Sequence, residues 1–336
     1  MPVNPNAHQH PSEKPQHSRE LSRRDFGSAI GAAAATLAAQ RIILADDPQP
    51  ADSSAADTSG SGWIDAHVHV WHPDTDRYPI SQNFRKSDMQ PASFTADELL
   101  GHCRPLGVDR IVLIQMSFYE FDHRYMNEVM ASHPGTFSGV ALIDHHADTL
   151  EKKIDELAEQ GMRGFRLHSR GDAKGWVTDP GIATLFRAAA RKGLAVCPLI
   201  NPDDLGYVDA LCQKFPETTV VVDHFARIGI SGTIDPQALA RLCRLARFPN
   251  THVKTSAFYA LGKKQPPYTD LTPMIRQVVE AFGPSRLMWA SDCPFQVQGI
   301  HSYESSLALI RDEIEFLSEA DKSWMLRGTA ERVFFS

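Results

Sequence analysis

Two histidines near the start of the folded part of the sequence have the spacing of a metal site. His67 and His69 are separated by one residue in an alternating apolar and polar run, 63–70, which is typical of a β-strand. Residues two apart on a strand point to the same face, so we expect both imidazoles to share a face with Asp65. The other face would carry Ile64, Ala66, Val68 and Val70. Two imidazoles at a strand end can bind one ion at the roughly 2.0–2.1 Å typical of zinc.

Spacing alone is weak evidence for such a site. With 15 histidines in 336 residues, about 0.7 pairs of this spacing are expected by chance. A second pair, His8 and His10, lies in the polar stretch 1–20, whose composition is typical of disorder. The pair at His67 and His69 differs because it lies in a strand that opens a long globular region. That context supports the metal hypothesis.

Two further candidates follow other predicted strands. His224 comes after strand 218–223, and Asp292 comes after strand 286–290 and two residues before Pro294. A carboxylate there could bind a metal or take a proton from water, and His224 could be a ligand or stabilise an oxyanion. Each has a structural alternative, a helix N-cap for Asp292 and a buried, backbone-bonded imidazole for His224.

Basic residues at predicted strand ends could bind a substrate. With one further histidine, they are Arg166, His168, Arg170, Arg227 and Lys254. Convergent cations would favour a substrate with a carboxylate or many hydroxyl groups, because arginine binds carboxylates in a bidentate manner. A structural role for His168 and simple solvation of the basic side chains are the alternatives. Cys293 could be a nucleophile, but no base is paired with it in the sequence, and a buried thiol is the alternative.

The other motifs considered do not indicate a specific reaction. His145 and His146 also follow a predicted strand, and we expect one of them to face outward without a defined role. Neither a G-x-S-x-G nor a G-x-x-x-x-G-K-[ST] motif occurs, which argues against a serine hydrolase of that type and a P-loop protein.

Strands and amphipathic helices alternate from residue 63 to the end. The predicted strands are 63–70, 110–115, 138–143, 164–168, 194–200, 218–223, 251–256 and 286–290, and clear helical patterns include 148–160, 182–192, 236–246 and 271–282. Eight strands with seven helical crossovers predict a single α/β domain, a (β/α)₈ TIM barrel with catalytic groups at the carboxyl ends of the strands. A doubly wound sheet is the alternative, but no glycine-rich dinucleotide turn follows any strand.

The composition excludes several classes of protein. A 42% hydrophobic and 22% charged sequence is typical of a globular protein with a sizeable core. The net charge of −7 argues against a nucleic-acid partner. The five cysteines are widely spaced without a C-x-x-C motif, so we expect neither a disulfide framework nor a thiolate zinc site.

The first 62 residues differ from the rest. Arg23 and Arg24 precede a mildly apolar Ala/Gly-rich segment, 27–39, a pattern typical of a twin-arginine export signal. We predict a disordered leader with this signal at 1–44, a flexible linker at 45–62 and the barrel at 63–336. The segment is too short and too weakly apolar to span a membrane. Export by the twin-arginine machinery to the periplasm is the prediction, and a disordered basic arm with a helical patch is the alternative.

Several segments together resemble the amidohydrolase-related (amidohydrolase 2) family of TIM-barrel metal-dependent hydrolases. They are 65–71, 164–168, 222–224, 289–294 and the closing 326–334, which is similar to that family's terminal helix. Trp71 and Tyr78-Pro79 most resemble its lactonase branch, which includes sugar-acid lactonases. The resemblance implies hydrolysis of a cyclic ester of a sugar acid or carboxylated small molecule. It places His67, His69, His224 and Asp292 at the strand-end positions of the branch, with Asp292 as the general base on water.

The departures from the family pattern limit the metal content. Strand 194–200 lacks the histidine of the family's decarboxylases, and Arg166 stands where two-metal members carry a carboxylated lysine. The resemblance therefore implies one divalent ion, zinc or similar, or none, because some lactonases of the branch work without a metal. A decarboxylase or hydratase is the enzymatic alternative, and a catalytically inactive secreted binding protein is the other. The oligomeric state is not predicted.

Overall fold

The computed structural model describes residues 62–336, and the predicted export signal lies outside the described residues. Eight strands form one sheet in chain order, each parallel to the next. They are β1 (Trp63–Val68), β2 (Val108–Ile114), β3 (Phe137–Leu142), β4 (Met162–His168), β5 (Ala195–Leu199), β6 (Thr219–Val222), β7 (Thr251–Ser256) and β8 (Leu287–Ala290). Each predicted strand corresponds to one of these.

Helices follow the strands and cover the outside of the sheet. Within residues 62–336 they are α1 (Ala96–Cys103), α2 (Arg124–Ser132), α3 (Leu150–Glu159), α4 (Pro180–Lys192), α5 (Leu205–Lys214), α6 (Pro236–Arg244), α7 (Thr272–Phe282), α8 (Tyr303–Ala308), α9 (Glu319–Ser323) and α10 (Thr329–Phe334). The helix α4 shows how the sequence sets their limits, because Asp179 caps its start and Gly193, with a φ of 66°, ends it. Among the helices described, none has the length and apolar character needed to cross a bilayer.

The first and last strands meet at their carboxyl ends and nearly close the barrel. The amide of His69 donates to the carbonyl of Cys293 at 2.8 Å, and the amide of Asp292 donates to the carbonyl of His67 at 2.9 Å. The predicted (β/α)₈ TIM barrel is therefore confirmed. Because these bonds involve His67, His69 and Asp292 themselves, closure of the barrel also brings the candidate site residues together.

Two apolar clusters form the core. The inner cluster fills the lower half of the barrel and includes Ile64, Ala66, Val112, Val140, Val221 and Met288, with Phe334 of α10 packed against it. The outer, larger cluster lies between the strands and the surrounding helices. The lower half of the barrel is thus packed with apolar side chains, and polar groups occupy its upper, carboxyl-terminal half.

The strand β1 departs from the alternation expected of it. Asp65 accepts hydrogen bonds from the Ser291 amide at 2.9 Å and the Tyr303 hydroxyl at 2.7 Å, so it points toward α8. His67 points into the barrel, where its Nδ1 lies 3.0 Å from Lys254 Nζ. A register shift in the pairing of β1 with β2 follows Asp65 and accounts for the difference. The expectation that Asp65 shares a face with His67 is therefore wrong.

Candidate active site

A cleft of about 420 Å³ opens at the carboxyl ends of the strands. Six of the predicted site residues line it, namely His69, Arg166, His168, His224, Arg227 and Asp292. Tyr259, Phe295 and several aliphatic side chains form the rest of its wall. The chain thus brings residues from the ends of β1, β4, β6, β7 and β8 to one polar and partly aromatic cleft.

Three potential metal ligands converge at the floor of this cleft. His67 Nε2 lies 3.3 Å from His69 Nε2, and each lies 3.5 Å from Asp292 Oδ1. Ligands bound to one zinc-type ion at about 2.0–2.1 Å with tetrahedral angles are about 3.3–3.4 Å apart. Asp292 Oδ1 is buried and has no hydrogen-bond partner among the described residues. The observed triangle therefore fits three positions of a single divalent ion.

Both histidines turn Nε2, the nitrogen that could bind a metal, toward the cleft, and the Nδ1 atom of each has a partner. His69 Nδ1 lies 2.9 Å from the carbonyl oxygen of Ile114. A carbonyl only accepts, so Nδ1 carries a proton, and Nε2 is the nitrogen left to face the cleft. Burial and the nearby Lys254 ammonium hold the pKa of His67 well below its ordinary value. His67 is therefore uncharged at neutral pH. Asp223 Oδ1, 3.3 Å from His67 Nδ1, can hold its one proton on that nitrogen, which leaves Nε2 available to an ion.

His224 lies on a strained segment that follows β6. The residues from His224 to Arg227 all have left-handed backbone conformations, with φ between 50° and 59°. Such conformations cost roughly 1–2 kcal/mol for each residue other than glycine. The segment directs His224 Nε2 to within 3.7 Å of Asp292 Oδ2, and Ser256 Oγ lies 2.8 Å from His224 Nδ1. Burial lowers the pKa of His224 to about 4, so this ring is also neutral.

Asp292 has a second partner that the sequence analysis did not identify. Its Oδ2 accepts a hydrogen bond from the Tyr259 hydroxyl at 2.7 Å. Burial raises the pKa of the Asp292 carboxyl, but the imidazoles of His224, His69 and His67 outweigh burial and hold it below its ordinary value. Burial and Asp292 raise the pKa of Tyr259, so the tyrosine remains a donor. The only sequence signal for Tyr259 was its position three residues after a strand.

A buried ion network lies beneath the floor of the cleft. Lys254 is fully buried, and its Nζ lies 3.0 Å from Asp223 Oδ1. Burial raises the pKa of Asp223, but Lys254 and His67, with Arg166, hold it well below its ordinary value. Lys254, predicted to bind substrate, instead contacts His67 and Asp223 and does not line the cleft. Asp223 was missed, although it directly precedes His224 at a strand end.

The other predicted substrate-binding residues separate into two groups. Arg166, Arg227 and His168 line the cleft, and Arg166 Nη1 lies 3.5 Å from His69 Nε2. Arg227 is oriented by a hydrogen bond from its Nη1 to Asn201 Oδ1 at 3.2 Å. Burial and Arg166 lower the pKa of His168 to about 4, so it is a neutral hydrogen-bonding group. Arg170 is exposed and does not line the cleft, contrary to the expectation.

Comparisons with known proteins agree with this architecture. L-fucono-1,5-lactonase of Burkholderia ambifaria is 28% identical over 242 residues, covering 69% of this chain and 80% of that protein. A 2-pyrone-4,6-dicarboxylate hydrolase of Comamonas testosteroni is 27% identical over 243 residues, covering 70% and 77%. The crystal structure of an amidohydrolase from Burkholderia multivorans with bound zinc superposes with a TM-score of 0.66 at 22% identity, covering 82% and 99%.

The solved structure supports the fold alone, because its sequence identity is low. The family model described as Amidohydrolase (Amidohydro_2) matches residues 64–335, which is nearly all of the described part of the chain. Its match begins in β1 and ends after α10, so it includes every strand end that contributes to the cleft. The chain therefore belongs to the amidohydrolase family and is a hydrolase.

Proposed function

We propose that this protein hydrolyses a lactone, with Asp292 as the general base that activates water. The observation that carries the proposal is the difference in environment between the two carboxylate oxygens of Asp292. Tyr259 binds Oδ2, whereas Oδ1 is buried without a hydrogen-bond partner among the described residues. An ionised oxygen held ready beside a cleft is suited to accept a proton from water. Two relatives named as lactone-ring hydrolases support this reaction class.

The residues of the cleft can carry out each step of this reaction. Asp292 Oδ1 takes a proton from water as the water oxygen bonds to the lactone carbonyl carbon. The Arg166 guanidinium, which lines the cleft beside His69, is placed to stabilise the negative charge that develops on the carbonyl oxygen. When the ring C–O bond breaks, the leaving oxygen recovers the proton from Asp292. The product is the open-chain hydroxy acid.

The proposal includes one divalent ion, zinc or similar, held by His67, His69 and one lone pair of Asp292 Oδ1, with His224 adjacent. The other lone pair of that oxygen remains to accept the proton from water. When bound there, such an ion would polarise the carbonyl and lower the pKa of water. The alternative is a site in which the same two histidines serve as polar neighbours of Asp292 without an ion. Metal analysis before and after chelation, with activity measured on both samples, distinguishes the two.

The cleft favours a substrate with a carboxylate or several hydroxyl groups. Arg166 and Arg227 line the same cleft and can bind a carboxylate through paired donors, and the neutral His168 can bind a hydroxyl. Tyr259 and Phe295 supply flat apolar surface for the ring. We therefore propose a lactone of a sugar acid or of another carboxylated small molecule as the substrate.

The decisive experiment combines a substrate panel with one substitution. The purified full chain is assayed for acid release on sugar lactones and carboxylated lactones. We expect Asp292→Asn to reduce kcat by at least about 10²-fold because the substituted amide cannot accept the proton. Asp76→Asn, at an exposed loop position, is the matched control and should retain activity. Full activity of Asp292→Asn with unchanged circular dichroism would contradict the mechanism, and release of carbon dioxide would favour the decarboxylase alternative.

We also propose that the protein is exported to the periplasm by the twin-arginine machinery. The support is the sequence pattern of Arg23 and Arg24 ahead of the segment 27–39, which lies outside the described residues. Cell fractionation should find the protein in the periplasm, and an Arg23→Lys, Arg24→Lys variant should remain in the cytosol. Wild-type protein in the cytosol with its leader uncleaved would overturn the proposal.

A further inference from the structure

A second group of potential metal ligands lies outside the cleft. His145 Nε2 and His146 Nε2 lie 3.9 Å and 3.6 Å from Asp179 Oδ2, and the two imidazole centroids are 4.2 Å apart. These distances are too long for hydrogen bonds between the side chains. Three atoms that can each donate a lone pair to an ion therefore point to one place without bonding to one another.

The turn after β3 explains how two consecutive histidines share a side. Consecutive side chains on a strand point to opposite faces. Here Asp144 Oδ1 accepts a hydrogen bond from the His146 amide at 3.0 Å, and the Asp144 carbonyl accepts one from the Ala147 amide at 3.2 Å. The resulting turn places the two rings side by side. One of them faces outward as expected, since the His146 side chain is 67% exposed and that of His145 is 25% exposed.

The third ligand is held in place by α4. Asp179 Oδ1 accepts a hydrogen bond from the Ile182 amide at 3.0 Å and caps the helix, which leaves Oδ2 turned toward the histidines. The backbone of the turn packs directly on the first turn of α4, because a Cβ at Gly181 would overlap the carbonyl oxygen of His145. Backbone packing and the helix cap therefore position the main chain of all three residues and the Asp179 carboxylate, and an ion would order the two rings.

We propose that His145, His146 and Asp179 bind one divalent ion of the zinc type, separate from the catalytic cleft. Two imidazoles and a carboxylate are the ligand set of such borderline metals, and a tetrahedral ion would leave the fourth position to water. The three ligand atoms lie within 4.8 Å of one another. The separations of 3.6 Å and 3.9 Å from Asp179 exceed the roughly 3.3–3.4 Å of a tetrahedral site by about 0.2–0.6 Å, so the two rings must rotate to bind an ion.

The protonation state of the half-buried ring agrees with this role. Burial and the neighbouring His146 lower the pKa of His145, so its ring is uncharged at neutral pH and its lone pair is available. The ion would connect the loop that follows β3 to the start of the helix that follows β4. Because β4 carries Arg166 and His168, the ion would stabilise one side of the rim of the cleft.

The test uses variants that keep the local structure and remove one ligand. Asp179→Asn retains a helix cap, since asparagine caps as well as aspartate, but loses the carboxylate. His146→Asn changes an exposed side chain, and His102→Asn, at an exposed position on α1, is the matched control. The full chain is stripped of metal, and zinc binding is measured by equilibrium dialysis together with the thermal midpoint. Repeating the series in the Asp292→Asn background weakens binding at the cleft and isolates the second site.

We expect the wild type and His102→Asn to bind one more equivalent of zinc than Asp179→Asn and His146→Asn. Loss of an outer-shell partner already weakens a metal site by about 10–100-fold, so loss of one of three ligands should weaken the second site by at least that much. The extra equivalent should therefore be absent at zinc concentrations that just saturate the wild type. Zinc should also raise the thermal midpoint of the Asp292→Asn background by a few degrees, and this rise should be lost with either ligand substitution. Equal stoichiometry and equal thermal shifts in all variants, or an equal loss in His102→Asn, would overturn the proposal.

Discussion

Asp292 is bound on one carboxylate oxygen by Tyr259 and faces His67 and His69 with the other. A carboxylate that is free to rotate would exchange these roles, and its basic oxygen would spend less time oriented toward the substrate. The Tyr259 hydroxyl, which donates at 2.7 Å, prevents that rotation. Tyr259 is therefore a positioning residue for the proposed base.

Replacing Tyr259 by phenylalanine tests this positioning role. A hydrogen bond to a charged group contributes about 1.5–3 kcal/mol, so Tyr259→Phe should lower kcat by about 10–100-fold. KM should change less, because the phenyl ring still lines the cleft. The measurement is steady-state kinetics on the best lactone of the panel. Tyr207→Phe, a partly buried tyrosine on α5, is the control, and an unchanged kcat for Tyr259→Phe would contradict the role.

The sequence predicted the residues of the site better than their contacts. Histidines and a carboxylate at strand ends could be identified from the pattern, because parallel strands bring their carboxyl ends to one edge. The hydrogen bond from Tyr259 to Asp292 depends on the left-handed conformation of Ala257, which has a φ of 57°. No local feature of the sequence predicts that conformation. The alternation of β7 predicts that the Lys254 side chain points into the barrel. The depth of that side chain below the cleft depends on the length of the whole strand, so its complete burial could not be predicted.

At the scale of elements, the buried side chain of Asp65 helps to join the seam between β1 and β8. Asp65 joins the end of β8 to α8 through the Ser291 amide and the Tyr303 hydroxyl. Burial raises the pKa of Asp65 to about 6, although both donors oppose that shift. The alternation of β1 could not predict this contact, since a register shift turns Asp65 away from His67.

Removing the tyrosine donor should weaken the seam. Tyr303→Phe leaves a buried carboxylate with one donor fewer, which should lower the free energy of unfolding by about 1–3 kcal/mol. Lactone hydrolysis at saturating substrate should be retained, because Tyr303 does not line the cleft. Urea unfolding at pH 7 measures the difference, with Tyr207→Phe again as the control. Equal stability of Tyr303→Phe and the wild type would show that the remaining donors to Asp65, the Ser291 and His67 amides, suffice.

At the scale of the whole molecule, the barrel could be predicted because the strands are short and most of them are largely apolar and buried on both faces. The buried charges could not, because their pairing joins residues far apart in sequence. Asp223, Lys254 and His67 come from three different strand ends and meet inside the barrel. Polar residues scattered along a sequence reveal such a network only when the closed sheet sets their distances.

Two histidines outside the cleft link the stability of the fold to pH. His123 and His252 are 8% and 6% exposed, and burial lowers the pKa of each to about 4. The ordinary value of about 6.5 applies in the unfolded chain. Between pH 6.5 and pH 4 the unfolded chain therefore binds more protons than the folded protein. These two histidines therefore lower the free energy of unfolding as the pH falls through this window, by up to about 3 kcal/mol each.

Replacing one of these histidines should reduce the loss of free energy of unfolding at acid pH by the amount that this histidine causes. His252→Asn costs some stability at pH 7. Between pH 7 and pH 4, however, the variant should lose less free energy of unfolding than the wild type, by up to about 3 kcal/mol. Urea unfolding at intervals of one pH unit measures both slopes. The exposed His102→Asn is the control and should follow the wild-type slope, because the substitution changes no buried group. Parallel slopes for His252→Asn and the wild type would contradict this prediction, because they would mean that His252 is protonated in the folded protein. Burial and repulsion from Arg332 and Arg286 should prevent that protonation.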